Sequence, residues 1–355
     1  MDVRLSAEQQ ALGDSVARVI DDLGPRTVQQ LDDPERARRL DAAISAAGWR
    51  ELRSALDDGS PLASGVEVSI VAEELGRGLA DAPLLGPTLA AELRRLADAP
   101  AATSVETVAL APDLSKIAWV ESGVAGPDSV AIDAQGAESA LALAPASTSV
   151  SGGLQLVTVP LRRVEERIDL TQWTGAPAAG SVPRPVVEQG RVLDAEALDR
   201  WTALGLTVTS ADLVGVMDGA VQLACAYARE RRQYGVPVGS FQAVQHLLAD
   251  AFVAMEGSRS LTLYAAWAVD ALGSADALTA AATAKAYSSR AARSVCETVI
   301  QVHGGIGNTW ECIAHVYLRR ALASTEVLGG VGPSLARVLS GVQLSDGTWR
   351  DDGLR

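Results

Sequence analysis

The chain has 355 residues, 48% of them hydrophobic, and a formal net charge of −14. This length allows two or three domains, and the acidity argues against nucleic acid as a partner, although a local basic pocket could still bind an anionic small molecule. We expect no transmembrane helix, and the N-terminal "MDVRLSAEQQ" lacks the basic and apolar regions of a secretory signal, so we predict a cytoplasmic protein.

The three cysteines and three histidines form no metal or disulfide pattern. The cysteines lack a CxxC spacing, and the histidines are too scattered for a zinc site. We interpret them as buried thiols and packed imidazoles and predict no metal site. These residues are Cys225, Cys296, Cys312, His246, His303 and His315.

Residues 1–103 predict an N-terminal helical domain. In "SAEQQALGDSVARVIDDLG", Ser6 is an N-cap and a glycine ends the amphipathic run. "DDPERARRLDAAISAAG" has Pro34 in its first turn and Gly48 at its end. "SGVEVSIVAEELGRGL" and "LLGPTLAAELRRLAD" predict two further helices.

Residues 104–192 lose the helical period and predict a middle β domain. Short β-prone runs are separated by Gly, Pro, Asp and Ser, which indicates a small antiparallel barrel or sandwich. The runs are "TVALAP", "KIAWVES", "SVAID", "ALALAP", "LQLVTVPL" and "RPVVEQG".

Residues 193–355 return to longer helices. One apolar stripe joins Phe241, Val244, Leu248, Ala251 and Met255. A second stripe runs through "AARSVCETVIQVHGG", where the double glycine stops the helix. Long helices with short connections predict a four-helix bundle, so the whole chain is expected to be α+β and mostly α.

Two stretches carry possible chemistry: "RERRQYGVPVGSFQAVQH" at 229–246 and "QVHGGIGNTWE" at 301–311. Each alone is weak, because a double glycine after a helix is most often a C-cap and an arginine pair usually complements the helix dipole. "GGIG" also lacks the strand that precedes a Rossmann or P-loop motif.

Taken together and in this order, the two stretches resemble the acyl-CoA dehydrogenase family. The resemblance covers about residues 210–325 and implies helical, β and four-helix-bundle domains, with FAD lying across a subunit interface. It implies that an arginine neutralises the pyrophosphate, that aromatics and glutamines contact the dinucleotide, and that glycines allow close approach. The matching residues are Arg231, Tyr234, Gly235, Phe241, Gln242, Gln301, Gly304, Gly305 and Gly307.

The family's catalytic carboxylate is missing from its expected position. In the family, the base lies nine residues after an arginine and directly before a glycine. Counted from Arg319, this position is occupied by Leu328. Glu326 lies two residues earlier, and in a helix that offset turns a side chain by roughly 200°. We therefore predict no catalytic residue in this chain and keep Glu326 as the alternative.

The second base position known in the family is also empty. Counting back from Gly215 on the first bundle helix gives Gly205, and the nearby Asp212 is interpreted as a polar-face residue. The stretch at 111–129 does not match the family's flavin-ring loops, and we interpret its Trp119 as a core residue.

Retained dinucleotide motifs beside two empty base positions resemble the small non-catalytic subunit of actinobacterial heteromeric α2β2 acyl-CoA dehydrogenases, several of which act on CoA thioesters of steroid side chains. This implies a catalytic partner subunit, an acyl-CoA substrate, FAD, and an electron-transferring flavoprotein as acceptor. Two alternatives remain open: a homo-oligomeric enzyme whose displaced base is Glu326 or Asp212, and a structural paralogue without flavin.

Overall fold

Four α-helices form the N-terminal part of the computed structural model, which describes residues 4–121, 124–125, 128–146, 154–178, 180–187 and 191–345. Their starts are set by local caps: the Ser6 and Ser64 side chains each form a capping box, and Asp33 accepts from the backbone N–H groups of Glu35 and Arg36. The helices are α1 (Ala7–Leu23), α2 (Pro34–Ala46), α3 (Gly65–Arg77) and α4 (Leu85–Leu96), with a 3-10 turn at Val28–Asp32.

The middle of the chain is a small β-barrel. Its strands are β1 (Glu106–Leu110), β2 (Val120–Glu121), β3 (Val124–Ala125), β4 (Val130–Ala131), β5 (Ser139–Pro145), β6 (Leu154–Arg163), β7 (Gly175–Pro177) and β8 (Arg184–Pro185). The order β5-β1-β4-β7-β6 closes through a β5–β6 pairing, and β8 lies outside on β6. The expectation of a purely antiparallel domain was wrong, because β1 and β5 are parallel.

The barrel interior is filled by small side chains, chiefly Ala109, Ala131, Ala140, Val157 and Val159. An interior of this width has no room for an indole. Trp119 accordingly lies outside and is 40% exposed, so its interpretation as a core residue was wrong.

In the C-terminal part, the described residues form five helices, and α5 lies at the centre in contact with α3, α6, α7 and α8. A hairpin joins α5 to α6. The elements are α5 (Ala195–Glu230), β9 (Arg232–Gln233), β10 (Val236–Pro237), α6 (Gln242–Ala271), α7 (Ser274–His303), α8 (Ala314–Glu326) and α9 (Val331–Ser345), with 3-10 turns at Val238–Ser240 and Gly304–Asn308.

Helix α5 is long and apolar enough to cross a membrane by length and composition, with a mean hydropathy of 1.3 in its most apolar window. The sequence-based expectation overlooked this helix. Within the protein, 89% of that window is buried, as in the central helix of a bundle.

Two glycines let α3 and α5 touch backbone to backbone. A Cβ on Gly215 would lie 1.8 Å from the carbonyl oxygen of Glu73, and a Cβ on Gly76 would lie 2.5 Å from that of Asp212. Only glycine permits this approach. It brings α3 of the N-terminal part against the middle of α5, near Asp212.

Arg53 joins the N-terminal domain to the end of α6. Its side chain is 1% exposed and donates hydrogen bonds to Glu92, to Asp270 and to the carbonyl oxygen of Ala63. The ion pair with Glu92 is buried on both sides.

We predict that Arg53→Met lowers the free energy of unfolding by about 3–5 kcal/mol, because it leaves the buried Glu92 carboxylate with one cation fewer. Arg293→Met is the matched control: its pair with Glu297 is 66% and 53% exposed, so the expected loss is below about 1 kcal/mol. Urea unfolding at constant pH measures both, and equal losses would contradict the prediction.

Candidate functional site

Arg320 of α8 lies where the three domains meet. It is 3% exposed, and its guanidinium donates to Asp212 Oδ1 at 2.6 and 3.0 Å, to the Ala80 carbonyl oxygen at 2.8 Å and to Thr171 Oγ1 at 3.1 Å. Burial alone would lower the pKa of Arg320, but Asp212 and then Asp169 outweigh it and the pKa is raised. The arginine is therefore a permanent buried cation.

Asp212 is the carboxylate partner of this cation. It is 8% exposed, and its Oδ2 also accepts from Ser324 Oγ at 2.8 Å. The interpretation of Asp212 as a polar-face residue was wrong, because the side chain is buried against Arg320. This partner lies 108 residues further along the chain, so the local pattern does not reveal it. Both carboxylate oxygens are engaged, so the side chain is placed for structure rather than for proton abstraction.

Lys285 of α7 is fully buried beside this network. Its Nζ donates to the Ser324 carbonyl oxygen at 2.5 Å, in the last turn of α8, where carbonyls lack partners within the helix. Burial lowers the pKa of Lys285 to about 7, although Asp212 and Glu326 act in the opposite direction. The lysine fixes the end of the helix that leads to the base position.

Leu328, at the position of the family base, is held from both sides. It is 0% exposed and has a φ of 60°, a left-handed conformation that costs a branched residue energy. Its N–H donates to the Leu114 carbonyl oxygen, and its own carbonyl accepts from Arg337, both at 2.8 Å. These bonds direct its side chain into the interior.

The two base positions of the family meet in this chain. A Cβ on Gly205 would lie 2.2 Å from Leu328 Cδ1 and 3.4 Å from Leu89 Cδ2. The isobutyl group of Leu328 thus fills the space over α5 that a side chain at position 205 would need. No carboxylate stands at either position.

Glu326 does not share this environment. It is the last residue of α8 and is exposed, and its carboxylate lies beside Gly330, where an added Cβ would be 3.1 Å from Oε2. The chain turns after Val327, so Leu328 enters the core while Glu326 faces outward.

Little open space remains between α3, α5, α8 and the barrel. The cavity there measures about 20 Å³ and is lined by residues that include Leu75, Thr209 and Val327. A volume of this size holds about one water molecule and cannot hold an acyl chain. The segment at 111–129 contacts the base position through the Leu114 carbonyl oxygen, and its residues 122–123 and 126–127 lie outside the described part of the chain.

Asp133 closes the same region from the barrel side. Burial raises its pKa to about 6, although it accepts hydrogen bonds from the backbone N–H groups of Leu84 and Gly86 at 2.6 and 3.3 Å. Its carboxylate binds the start of α4 and so joins the barrel to the N-terminal domain.

The first dinucleotide motif lies on the opposite side of the bundle, around the hairpin β9–β10. Arg231 follows the last residue of α5, and Gln242 is the first residue of α6; both are exposed. Tyr234 is 94% exposed at the hairpin tip, with a φ of 51°, and its ring makes an edge contact with Phe241 at 6.5 Å. Neighbouring Gly235 also has a positive φ, of 81°.

The second motif ends α7. Gln301 is exposed, Gly304 has a φ of 66°, and a Cβ on Gly304 or Gly305 would meet no atom within 4 Å. Gly307 differs, because a Cβ there would lie 2.8 Å from the Ile300 carbonyl oxygen. The backbone at Gly304 and Gly305 is therefore open to a ligand. At Gly307, the absence of a side chain lets the turn pack closely against the end of α7.

Tyr227 joins the two motifs. Its ring stacks on His303 at 4.5 Å, and its hydroxyl donates to the His303 carbonyl oxygen at 3.3 Å. Its carbonyl accepts from the Arg231 N–H at 2.8 Å. No local sequence pattern indicated Tyr227, because its role depends on His303, 76 positions away.

These groups suit a dinucleotide phosphate. A guanidinium, two side-chain amides and open glycine backbone are donors for phosphate oxygens, and the left-handed turn exposes backbone N–H groups. All of them face outward, so a ligand held here needs a second surface to enclose it.

The cysteines and histidines are buried to different extents, so their interpretation as buried thiols and packed imidazoles holds only in part. Cys296, His303 and His315 are buried, Cys225 and Cys312 are half-buried, and His246 is exposed on the outer face of α6. In the part of the chain that the structure describes, no three His, Cys, Asp or Glu side chains are placed to hold a metal ion.

Residues 205–332 match the acyl-CoA dehydrogenase C-terminal domain. The acyl-CoA dehydrogenase IpdE2 of Mycobacterium tuberculosis is 31% identical over 282 residues, which cover 78% of this chain and 77% of the relative. The chain belongs to the acyl-CoA dehydrogenase family. The sequence-based resemblance is confirmed.

Solved structures share the fold along the whole chain. The Tcur3481–Tcur3483 steroid ACAD superimposes with a TM-score of 0.77 at 24% identity, covering 96% of this chain and 99% of that one. The ChsE4–ChsE5 complex from Mycobacterium tuberculosis gives 0.75 at 23% identity, covering 98% and 100%. The predicted mostly helical α+β, acyl-CoA dehydrogenase-like fold is confirmed.

We predict that Leu328→Ala lowers the free energy of unfolding by about 2–5 kcal/mol, because it opens a cavity against Gly205 and Leu89. Leu339→Ala is the control, since Leu339 is 64% exposed and its truncation should change stability by less than about 0.5 kcal/mol. Urea unfolding tests both variants, and a loss below 1 kcal/mol for the first would mean that Leu328 does not fill the site.

Lys285 should titrate near neutral pH. The folded-state pKa of about 7 lies below the value of about 10.4 expected for an unfolded lysine, so the unfolded chain binds more protons between these pH values. The contribution of Lys285 to stability therefore rises with pH across this window. The free energy of unfolding of the wild type should therefore increase with pH relative to that of Lys285→Met over the same range.

The chain contains two lysines, Lys116 and Lys285, so ¹³C NMR of lysine-labelled protein gives a direct measurement. The resonance lost in Lys285→Met is expected to shift with a midpoint near pH 7. A midpoint above about pH 9.5 would place the amine in contact with solvent.

Proposed function

We propose that this chain is a non-catalytic subunit of a heteromeric, FAD-dependent acyl-CoA dehydrogenase. The observation that carries the proposal is the contact between Leu328 and Gly205, which leaves both base positions of the family without a carboxylate. The exposed dinucleotide motif supports a role in completing the FAD site of a partner subunit.

The reaction explains why the missing carboxylate matters. Desaturation of an acyl-CoA removes a proton from the α-carbon and a hydride from the β-carbon, for which FAD would supply the acceptor. The proton needs a carboxylate within hydrogen-bonding reach of the α-carbon. A leucine cannot accept it, so the partner subunit supplies the base.

This chain contributes phosphate contacts. Arg231 would neutralise the pyrophosphate, and Gln242 and Gln301 would donate amide hydrogens to polar groups of the dinucleotide. Gly304 and Gly305 would let the backbone approach it, since nothing lies within 4 Å of the place a Cβ would occupy. Tyr234 and Phe241 would pack beside it.

The partner is proposed to be a catalytic acyl-CoA dehydrogenase subunit in an α2β2 assembly. The likeness to one chain of the ChsE4–ChsE5 complex supports a heteromer, and the likeness to a steroid ACAD supports a CoA thioester of a steroid side chain as substrate. An electron-transferring flavoprotein is the proposed acceptor.

The alternative of a displaced base finds little support. Glu326 is exposed beside Gly330, and Asp212 is bound by Arg320 and Ser324. A Glu326→Gln variant should keep full dehydrogenase activity in the assembled enzyme.

We predict that the chain expressed alone lacks stoichiometric FAD and dehydrogenase activity, and that both appear on co-expression with an acyl-CoA dehydrogenase subunit from the neighbouring reading frames. Bound flavin is measured by absorbance and activity with a dye acceptor. Stoichiometric FAD and full activity in the lone chain would overturn the proposal.

Within the complex, Arg231→Ala should lower FAD content at least several-fold, because a charge-assisted phosphate contact is lost. Arg200→Ala is the control, since Arg200 lies at the far end of α5, where it pairs with Glu196. Unchanged flavin content in Arg231→Ala would favour the flavin-free structural paralogue instead.

A further inference from the structure

We propose that a band of six residues docks an acidic surface of the partner subunit; the proposal rests on the heteromeric function above. The band runs from the barrel to the bundle. Its members are Arg163, Arg167, Ile168, Trp173, Trp310 and Arg319, which we call the arginine–tryptophan band.

The centre of the band is a tryptophan between two arginines. The guanidinium carbons of Arg163 and Arg167 lie 3.4 and 3.7 Å from the ring centre of Trp173. Two guanidinium groups cannot share one face at these distances, so they cover opposite faces of the indole. Such stacking holds each guanidinium plane while its N–H edges stay free for a carboxylate.

The backbone beneath this stack is fixed. Arg163 is the last residue of β6 and pairs with Gly175 of β7, and the Trp173 carbonyl accepts from the Ala134 N–H at 2.8 Å. Arg167 donates to the Leu170 carbonyl oxygen at 3.2 Å. A preorganised surface of this kind loses little conformational entropy on binding.

The band continues onto α8. Arg319 donates to the Ile168 carbonyl oxygen at 3.1 Å, and its guanidinium lies 5.5 Å from the ring centre of Trp310. Trp310 is 59% exposed and makes an edge contact with His315 at 5.0 Å. Barrel and bundle therefore present one continuous surface.

The arginines of the band have no carboxylate of their own. Over the residues that the structure describes, Arg163, Arg167 and Arg319 lie in no ion pair within 4 Å, whereas Arg36, Arg259 and other arginines do. Burial and then the nearby Arg163 lower the pKa of Arg167, although Asp169, Asp32 and Asp81 act in the opposite direction. A further carboxylate from outside would offset the remaining cost. On a chain of net charge −14, such a cluster selects an acidic partner.

The composition indicates a protein partner. Arginine and tryptophan are enriched at binding hot spots. Ile168, which follows Arg167 in the band, is 74% exposed. A cleft of about 250 Å³, lined in part by Gln135, Arg163 and Trp173, could receive a side chain.

The position of the band identifies the protein that binds to it. Trp310 follows the Gly304–Asn308 turn by two residues, and that turn carries the glycines proposed to contact the FAD of the partner. A subunit seated on the turn lies directly beside the band. The catalytic partner subunit is therefore the occupant.

The test reverses two charges with Arg163→Glu/Arg167→Glu and measures the dissociation constant for the partner subunit by titration calorimetry at several salt concentrations. We expect affinity to fall about 10- to 100-fold, as for loss of a hot spot, and the wild-type affinity to fall more steeply with salt than the variant's. Arg18→Glu/Arg38→Glu makes the same charge change on exposed sites of α1 and α2 and should leave affinity unchanged.

Ile168→Asp is a second variant that leaves the stack intact and should also weaken binding, and circular dichroism melts check folding of all variants. Wild-type affinity in the reversed variant, with FAD loaded normally in the complex, overturns the docking proposal and leaves the proposed function standing. Normal assembly with slower electron transfer to the flavoprotein acceptor overturns it too, because the acceptor would then be the occupant. If wild-type subunits form no complex, both proposals fail.

Discussion

The buried ion pair between Arg320 and Asp212 is the constraint on which the relative placement of the three domains depends. Its hydrogen bonds reach α5, α8, the barrel through Thr171 and the N-terminal domain through the Ala80 carbonyl. Two buried charges cost desolvation energy, which is offset only when nearly every donor and acceptor finds a partner. The pair therefore tolerates one arrangement of the domains, and this arrangement places Leu328 over Gly205.

The charged groups at the centre of the fold are engaged within the protein, while the residues of the two sequence motifs lie on an open surface. Arg320 binds Asp212, Asp212 also accepts from Ser324, and Lys285 donates to the Ser324 carbonyl oxygen. Arg231, Gln242 and Gln301 are exposed and lie near open backbone. An enzyme that used its own site would need the opposite distribution, with unsatisfied polar groups inside a cleft.

Sequence reasoning succeeded where the signal was local. The N-cap Ser6 and the early Pro34 indicated helix starts, and the glycine at 304 marked the end of α7, because each acts on backbone within a few residues. The order of helices, strands and helices followed from the change in hydrophobic period.

Three of the errors involve contacts between residues far apart in the sequence. The partner of Asp212 lies 108 residues away, the parallel pair β1–β5 is separated along the chain by β2, β3 and β4, and the place of Trp119 depends on the width of a barrel that closes through β6. Hydrophobic period cannot report these pairings, and strands of two or three residues such as β7 leave almost no pattern. The short hairpin β9–β10 was missed for the same reason.

The absence of a carboxylate at the two base positions is built into packing as well as into residue identity. Positions 205 and 328 compete for one volume, since a Cβ on Gly205 would fall 2.2 Å from Leu328 Cδ1. A carboxylate at 328 would replace apolar contact with Leu89 by a buried charge, because the nearby cations are already engaged: Arg320 binds Asp212, and Arg337 binds the carbonyl oxygens of Leu328 and Ser115. The surrounding structure thus stabilises the leucine, and a single substitution would not recreate the site. The exposed surface around Arg231 and Gly304 has no such constraint, which is consistent with its retention under the proposed function.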